Sequence, residues 1–521
     1  MLARLPSAAL RGLNAEPVDV EVDLSRGLPA WNMVGLPEAA VREARDRVRS
    51  ALLNSGFEFP LRHITVNLAP ANKRKDGSHF DLPVAIGLLV ASGQIKMKRD
   101  VSRDIETTTE NDLPFVLGEL ALDGRLNPVP GILPLAMHAR DKGFSCLIVP
   151  EDNAGEAALV EGLDVFPAAN LLQVARHLSG RDLLVASSNQ ALSDQTSPSS
   201  ERAANMLDLS DIRGQLQARR ALEIAAAGGH HILMSGPPGV GKSMLAKRLP
   251  GILPPLTLAQ RLEVARIYSV SGDGSRTLTD TMPPFRSPHH SASDVAMIGG
   301  GSTPRPGEVS RADFGVLFLD ELPEFKRQVL EVLRQPLEDG RVCIARAADT
   351  LEFPARFQLM AAMNPCPCGY LGHPVRACRC SPSQIRRYRQ RISGPLLDRF
   401  DLHVHVPPVD KEELAGMRPG ESSARVAERV KVARERQYTR LGEGCVNARM
   451  SQKQIEQHAK PDTGGAQLLD TAMERFSLSA RSYHRILKVA RTIADLSGVE
   501  SVASAYIAEA LQYRSEQTTQ L

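Results

Sequence analysis

Residues 236–243, Gly236-Pro237-Pro238-Gly239-Val240-Gly241-Lys242-Ser243, fit the pattern G-x-x-x-x-G-K-[ST], and no other stretch narrows the fold of this chain as far. An apolar run at 231–234 precedes it and helix-forming residues follow, so the segment reads as strand, tight loop and helix start. Its glycines let backbone N–H groups curl around phosphate oxygens, and the helix N-terminus adds the positive end of its dipole. Such a loop belongs at the carboxyl edge of a parallel sheet, which makes α/β the expected fold class. Lys242 is then expected to hold the β and γ phosphates of ATP, and the Ser243 hydroxyl to ligate Mg²⁺.

A second apolar run, Val316-Leu317-Phe318-Leu319, ends in Asp320-Glu321. A buried parallel strand delivers its last residues to the same edge as the phosphate loop. Asp320 is therefore the carboxylate expected near Mg²⁺, and Glu321 the base that orients and polarises water. A third run, 357–363, ends in Asn364. A neutral amide there can hold the attacking water without adding charge, although asparagine at a strand end is also a common turn former.

At 521 residues the chain exceeds one ordinary core, so about three domains are expected. Charged residues make up 24% and the formal net charge is only +3, so any nucleic-acid or membrane site must be local. No apolar run approaches the roughly 18 residues of a membrane span, and the N-terminus lacks the long apolar core of a signal peptide. Seven cysteines, four of them between 366 and 380, do not resemble a secreted disulfide framework. A cytoplasmic protein without a membrane partner is expected.

The polar stretch 186–205, rich in Ser, Asn, Gln and Asp, reads as a linker. Before it, residues 18–24 alternate apolar and acidic as a half-buried strand. Residues 38–53, 82–91 and 135–140 read as helices, and 63–68 and 146–149 as strands. After it come a helix at 215–227 and the phosphate-loop strand. Beyond about 408 strands become sparse, and 411–417, 423–438, 465–477 and 482–496 read as helices. The expected domains are therefore 1–185, 206–408 (the nucleotide core) and a helical domain at 409–521.

Cys366-Pro367-Cys368 and Cys378-Arg379-Cys380 form C-x-C…C-x-C with nine residues between the pairs. Four thiolates suit a tetrahedral, structural Zn²⁺ site; C-x-C is tighter than the common spacing, and a reduced thiol loop is the alternative. His373 could replace one cysteine. Between 376 and 391 lie Arg376, Arg379, Arg386, Arg387, Arg389 and Arg391 with Tyr388 and no acid. Arginines beside an aromatic suit phosphate and base contacts, although charge runs are usually solvated faces.

The segments GPPGVGKS, RPGEVSRADFGVLFLDELPEF, NPCPCG and SGPLLDRFDLHV, in this order, resemble the ComM/YifB family of magnesium-chelatase-like AAA+ ATPases. GLPEAAVREARDRVRSALLNSGFEFP and ITVNLAPA extend the resemblance over nearly the whole chain. It implies a Lon-protease-like N-terminal α/β domain, a P-loop AAA+ α/β core and a C-terminal helical lid. It also implies a homo-oligomeric ring, a hexamer, that moves on single-stranded or branched DNA and promotes branch migration during natural transformation. A chelatase-like or chaperone-like ATPase that remodels a protein partner is the alternative.

Within the resemblance, Ile212 and Gln215 are candidates for adenine contact. Arg399 resembles an arginine finger that reaches a neighbouring subunit's γ-phosphate, and Arg481 a second sensor arginine, with Arg485 as its rival. Residues 341–346 and 351–353 read as a hairpin that relatives project into the ring's pore, with Arg346 near the tip. The N-terminal domain departs from Lon-type peptidases. His79, in Asp76-Gly77-Ser78-His79, stands where the serine aligns, and Leu133, in Pro130-Gly131-Ile132-Leu133, where the lysine would be. The fold is expected without the peptidase.

Overall fold

The computed structural model describes residues 1–97, 113–187, 207–273, 276, 278, 280–301, 304–346, 349–408, 420–476 and 478–514. Nearly all of the linker at 186–205, the helix expected at 411–417 and the side chain of Arg346 lie outside the described residues. The chain divides into two compact units.

The first unit comprises Met1–Ser200 with Arg261–Asp280 and Ser302–Arg305. Its larger sheet runs, from one edge, Leu2–Arg11, Asn14–Ser25, His63–Ala69 and Ala30–Val34, the last pair parallel and the others antiparallel. Alternation places Val18, Val20, Val22 and Leu24 in the core while the acidic residues between them stay partly exposed. The apolar helix Asp81–Ala91 packs closely on this sheet because Gly87 has no side chain: a Cβ there would sit 2.6 Å from Val22 Cγ2. The helix expected at 38–53 is two helices, Ala39–Arg42 and Ala44–Asn54, interrupted at Glu43. A smaller parallel sheet orders Phe115–Val116, Cys146–Pro150 and Asp164–Ala168. The helix Leu258–Ser271 lies in sequence after the phosphate loop, yet most of it belongs to this unit. Ala265 joins the core around Ala8, Phe115 and Leu133, and Arg266 donates to the Leu13 carbonyl and to Asn14 Oδ1.

The second unit carries a five-stranded, all-parallel sheet in the order Phe285–Arg286, Val316–Leu319, Gln358–Met363, Ile232–Ser235, Leu402–His405. The strands Val316–Leu319 and Gln358–Met363 are buried along their length, as interior strands covered on both faces must be. Parallel pairing brings every carboxyl end to one edge. The helices Ser423–Leu441, Gln452–His458, Thr463–Phe476, Ala480–Ser497 and Ser504–Gln512 follow. Val426, Val430, Ile486, Val489 and Ile493 share one apolar cluster with Ala221 and Ile224 of the helix Leu216–Gly228, so among the described residues the helical end packs into the core of the sheet unit. The antiparallel hairpin Arg341–Arg346 and Asp349–Pro354 forms as expected, in the register Ile344↔Leu351. Among the described residues no helix is long and apolar enough to cross a membrane.

Candidate nucleotide site and cysteine cluster

The loop at 236–243 joins the strand Ile232–Ser235 to the helix Lys242–Arg248. Gly239 and Gly241 adopt φ of 81° and 91°, a region that side chains disfavour, and this curls the loop. Gly236 is needed for a different reason: a Cβ there would lie 2.2 Å from the Val406 carbonyl oxygen. Pro237, Pro238 and Val240 fill the intervening positions.

Register sets the rest of the site. Ser235 pairs with Met363 and Leu319 with Ala361, so the phosphate loop, Asp320 and Asn364 leave the sheet side by side. Ser243 Oγ donates to Asp320 Oδ2 at 2.6 Å, which places a hydroxyl and a carboxylate where one Mg²⁺ would take both as oxygen ligands. Lys242 is buried and folded on its own loop, donating to the carbonyls of Gly236 (2.6 Å) and Pro237 (2.8 Å) and to Asn364 Oδ1 (3.1 Å). Burial pushes its ammonium down to about 8, against the opposing pull of the Asp320 and Glu321 carboxylates. Glu321 sits in the left-handed region (φ 52°), with its N–H bonded to Asp320 Oδ1 and its carboxylate exposed.

One neighbour of Glu321 escaped the sequence reading. His290 Nδ1 lies 3.7 Å from Glu321 Oε2, and its ring lies tilted against His289 and meets the edge of Phe325. The signal was Pro288-His289-His290 just after the strand Phe285–Arg286, which pairs with Val316–Leu319. On the other side, Ile212 is buried, and Gln215 Nε2 donates to the Pro407 carbonyl, next to the Val406 that crowds Gly236.

The arginines divide differently. Arg399 is buried, donating to the Pro395 carbonyl (2.5 Å) and to the Glu338 carboxylate, and it lines a cavity of about 410 Å³ with Glu331, Arg334 and Cys343. Burial lowers its affinity for a proton; Glu338 opposes this, while Arg334, Arg485 and Arg481 add to it, so four guanidinium groups share one neighbourhood. Arg485 donates to the buried Asp401 at 3.3 Å, whereas Arg481 is exposed in the first turn of Ala480–Ser497.

The thiols of Cys366, Cys368, Cys378 and Cys380 lie within 4.8 Å of one another, with three separations of 3.4, 3.6 and 3.6 Å. Zn–S bonds of about 2.3 Å in a tetrahedron require sulfurs roughly 3.8 Å apart, so the donor set fits zinc. Backbone N–H groups of Tyr370 and Arg379 point at Cys368, pushing its thiol down to about 6. His373 is not part of the group: its Nδ1 accepts the N–H of Val375 and of Arg376. Tyr388 is buried beneath the basic segment and cannot stack on a base, while Arg376, Arg379, Arg386 and Arg387 are exposed.

In the first unit Ser78 donates to Glu119, itself held by Asn127 at 3.1 Å. Lys73 pairs with Glu16 at 3.0 Å, and the buried Lys75 donates to the Pro70 carbonyl. His79 and Leu133 are both buried.

Residues 208–414 match the family described as magnesium chelatase, subunit ChlI; residues 20–153 match subunit ChlI of Mg-chelatase, and 420–514 the subunit ChlI C-terminal family. The chain is similar to the competence protein ComM of Haemophilus influenzae, 47% identical over 516 residues, covering 99% of this chain and 97% of the relative. It is 45% identical over 515 residues to YifB of Escherichia coli, covering 99% and 97%. It is 44% identical over 518 residues to an uncharacterised protein of Mycobacterium tuberculosis, covering 98% of each.

Proposed function

The chain belongs to the ComM/YifB family of magnesium-chelatase-like AAA+ ATPases, and from that premise we propose that it is a ring-forming, ATP-driven DNA motor that promotes branch migration in natural transformation. The observation that carries the ATPase half is the meeting of Lys242, Ser243, Asp320 and Asn364 at one sheet edge. Lys242 exchanges its loop carbonyls for the β and γ phosphates, and the loop N–H groups take the remaining oxygens. Ser243 and Asp320 would hold Mg²⁺, which when bound would neutralise charge on the phosphates. Glu321 polarises the water and Asn364 positions it. Ile212 and Gln215 border the adenine.

Arg399 is the finger that reaches a neighbouring subunit's γ-phosphate and Arg481 the second sensor; around Arg399 stand Glu338 and Arg334 rather than the phosphate loop. Arg485 is the support, held on Asp401. Action between subunits calls for a ring, and the family resemblance implies that it is a hexamer.

The DNA half draws on the H. influenzae relative, whose name ties it to competence, and on the exposed arginines 376, 379, 386 and 387. The cysteine cluster holds one structural Zn²⁺. The N-terminal domain is not a peptidase, since Ser78 and the nearby lysines are each committed to other partners. The deciding experiment is ATP turnover by the intact chain with single-stranded, duplex and four-way DNA. Stimulation by DNA, greatest with branched DNA, is expected; stimulation only by a protein partner would move the chain to the remodelling class.

A further inference from the structure

We infer that the four-cysteine cluster is a positioning element of the nucleotide site, in which zinc held by Cys366, Cys368, Cys378 and Cys380 fixes the wall that sets Asn364 against the phosphate loop. This rests on the nucleotide and zinc assignments above. Only Pro365 separates Asn364 from Cys366. Cys366 is fully buried, and its carbonyl accepts the Gly369 N–H at 2.9 Å, closing a tight turn around Pro367 and Cys368.

That turn abuts the phosphate loop. Gly369 has φ +82°, and a Cβ on it would lie 2.7 Å from Pro238 Cδ, 3.2 Å from Pro238 Cγ and 3.9 Å from Asn364 Cγ. A proline ring cannot rotate away, so such a Cβ would push the loop or the turn. From the other side the Asn364 backbone faces the Tyr388 phenol, and Arg389 reaches the Pro365 carbonyl at 3.5 Å. Asn364 in turn accepts from Lys242. The cluster, the turn, Asn364 and Lys242 therefore form one contiguous chain of contacts.

Without a cation the thiols take up protons, the metal–sulfur bonds that would close the turn are absent, and the turn is free to open. Asn364 would then lose its tether on one side. Lys242 and the loop N–H groups do not depend on that tether. Zinc loss should thus impair hydrolysis far more than nucleotide binding.

Glycine supplies the discriminating variants. Gly372 lies in the same loop with φ +78°, but a Cβ on it meets nothing within 4 Å. Gly369→Ala and Gly372→Ala impose the same backbone strain, and only the first presses on Pro238. The intact chain, purified anaerobically, would be assayed for zinc content, for affinity toward a fluorescent ATP analogue and for kcat.

Gly369→Ala should keep one zinc, bind the analogue within about threefold of wild type, and lose on the order of tenfold to a hundredfold in kcat. Gly372→Ala should keep zinc and kcat. Cys378→Ser should lose zinc and kcat together. Because the tether serves hydrolysis and barely touches nucleotide binding, thermodynamic reciprocity requires Mg-ATP to leave the zinc affinity, measured by competition with a chelating dye, within about threefold.

Zinc and turnover both present, with Gly369→Ala indifferent or matched by Gly372→Ala, would overturn the inference alone. A wild-type chain without zinc would overturn it together with the metal assignment. A zinc-loaded chain that neither binds the ATP analogue nor turns ATP over would overturn it together with the nucleotide assignment.

Discussion

Lys242 lies against its own loop, its ammonium shared by two carbonyls and Asn364, and burial holds its proton affinity down to about 8. Phosphate contact requires the charged amine. Below pH 8 the proton is already present; above it, binding must recruit one. Nucleotide affinity is therefore expected to hold near pH 7 and to fall above pH 8 by up to tenfold per pH unit, about 1.4 kcal/mol. Titration of a fluorescent ATP analogue between pH 7 and 9.5 checks this, and a flat profile would count against it. For the chemical step, Glu321→Gln keeps the shape of the side chain and removes the charge proposed to polarise water. It should bind ATP yet lose roughly 10²- to 10⁴-fold in turnover, whereas Lys242→Ala should lose affinity. Single-turnover hydrolysis beside equilibrium binding separates the two. Near-normal turnover by the glutamine variant would remove Glu321 from its role.

Between elements, Asp401 at the head of the strand Leu402–His405 joins the sheet to the helix Ala480–Ser497. It accepts the His231 N–H at 3.2 Å and Arg485 at 3.3 Å. His230 bridges Asp401 (3.3 Å) and Thr492 (2.8 Å) through its two ring nitrogens. Asn447 donates to Thr492 and to Asp495, which also takes Arg440 and Arg491. Burial alone would raise the Asp401 carboxyl, but His230, Arg485 and His231 hold it well below the usual carboxylate range. A depressed pKa contributes stability above the unfolded value, near 4, and loses it as pH falls toward the folded value. Asp401→Asn leaves the half-buried Arg485 without its counter-charge and breaks the buried network on Asp401, and should cost about 2–3 kcal/mol in urea unfolding. The gap to wild type should persist from pH 7 to 5 and narrow below about 4. A loss under 1 kcal/mol, or a gap unchanged at pH 3, would show that the seam carries little.

At the scale of the assembled molecule the proposed ring makes a complementation test possible. Arg399→Ala subunits keep an intact phosphate loop, and Lys242→Ala subunits keep an intact arginine. Each should be inactive alone. Mixed, they should recover a fraction of wild-type hydrolysis, at interfaces that pair an intact loop with an intact arginine. Turnover measured across mixing ratios, with co-assembly verified, decides it; no recovery at any ratio would return Arg399 to a purely structural part beside Glu338. Residual activity of Arg399→Ala alone near wild type would do the same.

The sequence by itself determined the groups whose geometry is local along the chain. The phosphate loop, Asp320-Glu321 and Asn364 were legible because strand, turn and spacing place each within a few residues of a sheet edge. The alternation of Val18, Val20, Val22 and Leu24, and the two C-x-C pairs, are short-range patterns of the same kind. The tertiary structure decided what depends on packing between distant segments. Gly369 meets Pro238 across more than a hundred residues, His290 comes to face Glu321, and Arg485 rather than Arg481 is tied to Asp401. The buried ring of Tyr388 and the passage of Leu258–Ser271 into the first unit belong here too. Spacing and periodicity record what one element needs from its neighbours in sequence. Which surface a side chain finally meets is set by close packing of many segments at once, and no local pattern carries that.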